Sequence, residues 1–127
     1  MYIVFDNFKV YKVTVGVPTI SITDTGVSFN KQAIVKLEYA NYIRILINKD
    51  EKKVAIIATD EVGDDTTAFC LKKDKPNSIR LNYRDLTKTL LALKSTNSEL
   101  LSFKVEGEFL DEYNALLFDF NHVLPIK

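Results

Sequence analysis

The sequence has little of the residue types that build catalytic or metal sites. Its 127 residues include one cysteine, Cys70, and one histidine, His122, so an intramolecular disulfide and a histidine-rich metal site are both excluded. The sequence also lacks a P-loop, a GxGxxG turn and a CxxC pair. These absences predict a protein that is not an enzyme and that has no cofactor and no bound metal.

Long apolar runs and an excess of charge of one sign are missing as well. No apolar stretch approaches the roughly 18 residues of a membrane-spanning helix, and the N-terminus has no basic segment typical of a signal peptide. Seventeen basic side chains balance seventeen acidic ones, so no global field draws the protein to nucleic acid or to a membrane. We therefore expect a soluble cytoplasmic protein with no membrane partner, folded as a single domain over 1–127.

Residues 20–58 are predicted to form a strand, a tight turn, a short helix and a hairpin. Ile20 and Ile22 alternate with polar neighbours, as in a strand with one buried face. Asn30 is the predicted N-cap of a helix that ends near Tyr39. Two apolar strands follow, joined by a polar turn.

Residues 78–120 read as a looser copy of the same helix and hairpin. Asn82 is the predicted N-cap of a helix over 83–94, which carries leucines at helical spacing. Gly107 falls within a predicted strand, where a bulge or a close approach of the backbone is expected. The tail after residue 120 is predicted to be irregular.

The two segments align with each other. At an offset of 52 residues, Phe29 and Asn30 match Leu81 and Asn82. Self-similarity of this kind is typical of an internal repeat. The chain is therefore predicted to be an α+β protein built as a tandem βαββ pseudo-repeat. An extra strand over 8–15 precedes it, and a linker over 59–77 with one short strand separates the two units.

The stretch TDTGVSFNKQAIVKLEYANYIRILINKDEKKVAIIA (23–58) resembles the N-terminal unit of the AbrB/MazE/SpoVT swapped-hairpin family. The resemblance lies in the acidic-then-glycine turn at Asp24 and Gly26, the short helix and the final apolar hairpin. It implies a swapped-hairpin β-barrel with two short helices, in which two units interleave their strands. The chain would then be a monomeric pseudo-dimer or a homodimer that binds double-stranded DNA and regulates transcription. Val27 departs from the family, which usually has a basic residue there.

Basic side chains are the candidates for contact with the phosphate backbone of nucleic acid. Lys31 and Arg84 lie near the predicted starts of the two helices, where backbone N–H groups also favour phosphate. The full candidate set is Lys9, Lys12, Lys31, Lys36, Arg44, Arg80, Arg84 and Lys88.

Two other functions remain open. Small chains of this type are common in bacterial and phage genomes, and the fold could serve a protein–protein interaction or a structural accessory role without DNA. Six tyrosines could instead stack the bases of a single strand, provided that several of them share a sheet face with basic residues. Basic side chains that converge on one face would favour duplex DNA, and dispersed charge would favour a protein partner.

Overall fold

The computed structural model describes residues 16–71, 75–93 and 102–125. The predicted strand over 8–15, with Lys9 and Lys12, lies outside these ranges. Within them the chain forms nine strands, two α-helices and a 3-10 turn at Asp111–Tyr113. The elements in chain order are β1 (Thr19–Thr23), β2 (Gly26–Asn30), α1 (Lys31–Lys36), β3 (Tyr42–Asn48), β4 (Lys53–Thr59), β5 (Thr67–Ala68), β6 (Ser78–Leu81), α2 (Arg84–Leu93), β7 (Phe103–Leu110), β8 (Ala115–Asp119) and β9 (Leu124–Pro125).

The strands join into one antiparallel sheet that curls into a half-barrel. Its order is β5-β3-β4-β8-β7-β1-β2-β6, with β9 added on β7. Both helices contact β1 and β2. The predicted α+β class is therefore confirmed as a mostly antiparallel half-barrel with two helices. The short strand predicted within the linker is β5.

Side chains that alternate along the strands fill the core, as the sequence predicts. Ile20 and Ile22 of β1 are fully buried. Phe29 meets the ring of Phe69 edge-on, with the ring centroids 4.9 Å apart. Because successive strand residues point to opposite faces, a strand with one buried face leaves its other side chains outside the half-barrel.

Strand β7 holds the sheet together because it pairs with neighbours along both of its edges. Its first half pairs with β1 and its second half pairs with β8. Gly107 lies at the change from one ladder to the other, and its N–H donates to the carbonyl of Pro18 at 2.7 Å. A Cβ atom placed on Gly107 would lie 2.5 Å from Cε1 of Phe118. The predicted close approach of the backbone at Gly107 is confirmed.

The first helix begins as predicted and ends earlier. The Oδ1 atom of Asn30 accepts a hydrogen bond from the N–H of Ala33 at 3.0 Å, so Asn30 is the N-cap. Helix α1 ends at Lys36, short of the predicted end near Tyr39. Glu38 and Tyr39 then adopt φ angles of 57° and 55°, which belong to a left-handed turn and not to a helix.

Two further expectations are wrong in detail. Helix α2 begins at Arg84, directly after Tyr83, and Asn82 does not occupy the capping position; its Oδ1 accepts from Nε of Arg80. The tail that was expected to be irregular forms β9, whose residue Leu124 pairs with Lys104 of β7. The pairing of β9 depends on a strand 20 residues earlier in the chain, whereas the Asn82 side chain bonds to a residue only two positions away.

Gly107→Ala is expected to lower the free energy of unfolding by about 1–3 kcal/mol, because the added methyl group overlaps the Phe118 ring and either the ring or the strand must move. Urea denaturation followed by circular dichroism measures this change. Gly63→Ala is the matched control, because an added Cβ there meets no atom closer than 3.3 Å, the exposed Asp65 carboxylate. Equal effects of the two substitutions would contradict the packing role of Gly107.

Candidate nucleic-acid interface

The convex side of β6, β2, β1 and β7 carries polar side chains. These strands bury apolar residues on the inside, so the alternate positions face outward. We call the outward residues the polar face. Its members are Thr19, Ser21, Thr23, Ser28, Asn30, Ser78, Arg80, Lys104 and Glu106.

One row of four paired residues crosses the polar face, with a cation at each end and two serines between them. Arg80 is paired with Ser28, Ser28 with Ser21, and Ser21 with Lys104. Strands in a sheet are about 4.8 Å apart, so three spacings separate the Cα atoms of Arg80 and Lys104 by about 14 Å. The row therefore consists of two serine hydroxyl groups that lie between two positive charges.

The guanidinium of Arg80 lies among neutral oxygen atoms. Its Nε donates to Oδ1 of Asn82 at 3.1 Å, and Nη1 donates to Oγ of Ser28 at 3.3 Å. Its Nη2 donates to the hydroxyls of Thr23, at 3.4 Å, and Thr25. The ion pairs between described residues do not include Arg80. Its positive charge is therefore not offset by a carboxylate from the described part of the chain.

Arg44 has the opposite environment. Its Nε donates to the Asp65 carboxylate at 3.0 Å, and Nη2 donates to the Glu61 carboxylate at 3.2 Å. The hydrogen bond to Asp65, followed by the one to Glu61, raises the pKa of Arg44 above its usual value. Two carboxylates thus offset the charge of this predicted nucleic-acid contact.

The other predicted contacts do not gather around one point. Lys31 and Arg84 are exposed and begin the two helices, as expected. The ammonium group of Lys36 lies 5.4 Å from the centroid of the Phe109 ring. Lys88 lies away from the polar face and lines a cleft of about 390 Å³ together with Lys49 and Lys52.

Sequence reasoning missed the residues that surround Arg80, and it missed Lys104. The alternation of Lys104 with buried Phe103 and Val105 shows that its side chain points outward. That pattern does not reveal which strands lie beside β7. The hydroxyls of Thr25 and Ser28 carry no sequence signal at all, because they meet Arg80 only through the pairing of β2 with β6.

A groove runs along the seam between β5 and β6, the two ends of the sheet. One part of it has a volume of about 300 Å³ and the other about 380 Å³. Phe69, Ile79 and Arg80 line both parts. Tyr83 borders the groove with about half of its surface exposed. The sheet is open at this seam, since the order of paired strands begins at β5 and ends at β6.

The residues considered for catalysis and metal binding lie apart from the polar face. Cys70 is buried, in line with its interpretation as a small core residue. Asp60, Glu61 and their acidic neighbours are exposed. Across residues 16–71, 75–93 and 102–125, no group of three or more His, Cys, Asp or Glu side chains is arranged to hold a metal ion. No helix in the same residues is long and apolar enough to cross a membrane.

Comparisons with known proteins leave the chain without a family. No protein-family model matches it, and neither the curated proteins nor the solved structures contain a match. The resemblance of 23–58 to the AbrB/MazE/SpoVT family therefore stays a prediction based on its residues.

Asp119 is held in its charged form at the end of β8. Its Oδ1 atom accepts from the backbone N–H of Asn121 at 3.0 Å and from the side-chain amide of Asn121 at 2.8 Å. The backbone hydrogen bond is the largest cause of a lowered pKa of Asp119. His122 adds a weaker attraction, since its Nε2 lies 3.9 Å from the carboxylate. The same Asn121 amide donates to the carbonyl of Glu51 and so joins β8 to the β3–β4 turn.

Asp119→Asn is expected to lower the free energy of unfolding at neutral pH and to have little effect in acid. A carboxylate with a lower pKa in the folded state stabilises the fold above its unfolded pKa of about 4, and this contribution is lost as the pH falls through the folded value. Urea denaturation of both proteins between neutral pH and about pH 2.5 measures the difference. A difference that does not change with pH would contradict the role of the charge.

Proposed function

We propose that the protein binds DNA by contacting its phosphate backbone with the polar face, in a regulatory role of the AbrB-like type. The observation that carries the proposal is the row from Arg80 to Lys104, which joins two exposed cations through serine hydroxyls. Arginine, lysine, serine and threonine side chains are among the groups with which proteins contact DNA phosphates. A chain without net charge can bind DNA only through such a local concentration of positive charge and donors.

The strand pairing supports the further proposal that the chain is a duplicated swapped-hairpin unit. The order β2-α1-β3-β4 recurs as β6-α2-β7-β8. Ser28 and Arg80, which are 52 residues apart, pair with each other, as equivalent residues would beside a twofold axis. The second hairpin strands, β4 and β8, also pair with each other.

The outer strands support the same interpretation. In the duplicated scheme β1 belongs to the first unit, yet it pairs with β7 of the second. Likewise β5, which directly precedes β6 of the second unit, pairs with β3 of the first unit. This exchange of strands is what a swapped-hairpin arrangement requires. The proposed object is a monomeric pseudo-dimer whose two units lie in one chain.

A protein partner is the second candidate function, and the seam between β5 and β6 is the observation that favours it. In the described part of the chain, β6 pairs on one edge only, with β2. An open strand edge beside an apolar groove can accept an extended segment of another protein. Leu71 and Tyr83 are exposed beside this edge.

Single-strand binding has less support, because the polar face has no aromatic side chain among its described members.

Fluorescence anisotropy with duplex DNA at several salt concentrations tests the DNA-binding proposal. The logarithm of the binding constant falls with the logarithm of salt concentration by about 0.9 for each neutralised phosphate. Arg80→Gln and Lys104→Gln are each expected to reduce the slope by about that amount. A melting curve of each variant checks that it remains folded.

Two matched variants control for general effects of charge. Arg44→Gln removes an arginine whose charge two carboxylates already offset, so the salt slope is expected to stay unchanged. Glu106→Gln removes a negative charge from the polar face and is expected to strengthen binding. Absence of binding at low salt, or an equal loss with Arg44→Gln and Arg80→Gln, would reject DNA binding through the polar face.

A further inference from the structure

The hydrogen bonds of Arg80 do not use all of its N–H donors. The guanidinium has five N–H groups. Four of them meet acceptors on Asn82, Ser28, Thr23 and Thr25, so one hydrogen of Nη1 has no acceptor among the described residues.

The hydroxyl groups add a second unused donor. Thr25 and Thr23 share one hydrogen bond at 3.0 Å, and Thr23 also donates to the carbonyl of Gly26 at 3.4 Å. Ser28 accepts from Nη1 of Arg80, and the described part of the chain offers no acceptor for its own hydrogen. The Nη1 and Ser28 donors are neighbours, with their heavy atoms 3.3 Å apart. A hydroxyl that accepts from a cation also becomes a stronger donor.

The cluster is built by a close approach of two segments that are far apart in the sequence. A Cβ atom on Gly26 would lie 2.9 Å from Oδ1 of Asn82 and 2.9 Å from the carbonyl oxygen of Leu81. Glycine at this position therefore lets the β1–β2 turn rest against the end of β6. This contact brings the threonine hydroxyls to Arg80, and it fixes the guanidinium before any ligand arrives.

A positive charge that no carboxylate of the described residues offsets, next to two donors without an acceptor in those residues, favours an acceptor that carries negative charge. Phosphate oxygens meet this requirement, and a planar guanidinium held by four acceptors loses little side-chain entropy when it binds one. Arg44 shows the contrast within the same molecule, because its donors already point at Asp65 and Glu61. The exposed position of Arg80 leaves the cluster open to a ligand as large as a nucleic acid.

We propose that Arg80 and Ser28, supported by Thr25, form a phosphate-binding site that holds one phosphodiester group of the DNA backbone. This inference rests on the proposed function for the source of the phosphate. In this site Nη1–H and a serine hydroxyl donate hydrogen bonds to a phosphoryl oxyanion. The same chemistry also fits free phosphate. The two sources differ in the experiments that follow.

Two substitutions test the site while preserving most of its surroundings. Ser28→Ala removes one of the two free donors and is expected to weaken duplex DNA binding about three- to tenfold at constant salt, the usual range for one hydrogen bond. Arg80→Lys keeps the charge but loses the planar fork, and it is expected to weaken binding at least as much. Arg44→Lys is the matched control, because it makes the same change at an arginine whose charge Asp65 and Glu61 already offset, and it is expected to leave the affinity unchanged.

Titration with inorganic phosphate, followed by two-dimensional amide NMR, examines the same site without DNA. The expected result is a saturable shift of the Thr25 and Ser28 amide signals, and in Ser28→Ala the shift at Thr25 is expected to need a higher phosphate concentration. If Arg80→Lys lowers the melting temperature, Ser28→Ala carries the test, since Ser28 is a small side chain on the outside of the sheet.

The results of the two experiments distinguish failure of the phosphate site from failure of the proposed DNA-binding function. DNA binding that is equal in the wild-type protein, Ser28→Ala and Arg80→Lys overturns the phosphate site and leaves DNA binding intact. Phosphate-dependent shifts at Thr25 and Ser28 without any DNA binding support the site, assign it to free phosphate and reject the proposed function. Absence of both responses overturns both proposals.

Discussion

The whole arrangement depends on one close contact, the Phe118 ring against the backbone of Gly107. Strand β7 changes partners at this glycine, from β1 on one edge to β8 on the other. A side chain there would displace the ring, since its Cβ would be 2.5 Å from Cε1. The contact therefore lets a single strand join both halves of the half-barrel. In the strand order, β8 and β7 lie between the β3–β4 pair and the β1–β2 pair.

This joint also determines what the outside of the sheet presents. Because β1 lies beside β7, the side chain of Lys104 falls in register with Ser21, and β2 carries the row on to Arg80. The period-two alternation of each strand that buries Ile20 and Phe103 makes their neighbours face outward. The apolar core and the polar face are thus two consequences of the same registers.

The sequence predicts features that depend on residues close together in the chain. It does not predict contacts that depend on the order of the strands in the sheet. The Asn30 cap and the buried Ile34 depend on residues within one helical turn, and both were predicted. The Arg80 cluster joins Thr23 to a residue 57 positions away, and no spacing rule connects them. The carboxylates of Arg44 lie 17 and 21 residues from it, beyond a polar loop. Charge and composition could not show that, among the residues the structure describes, carboxylates pair with Arg44 and not with Arg80.

The two arginines show why net charge is a poor guide to the function of this chain. Arg44 and Arg80 contribute equally to the formal charge of zero. Asp65 and Glu61 occupy the donors of Arg44, so an approaching anion would have to displace a carboxylate. At Arg80 the same donors meet neutral oxygens, and an anion adds attraction without displacing one. The partners of each cation therefore decide where an anion can bind, and they direct any phosphate contact to the polar face.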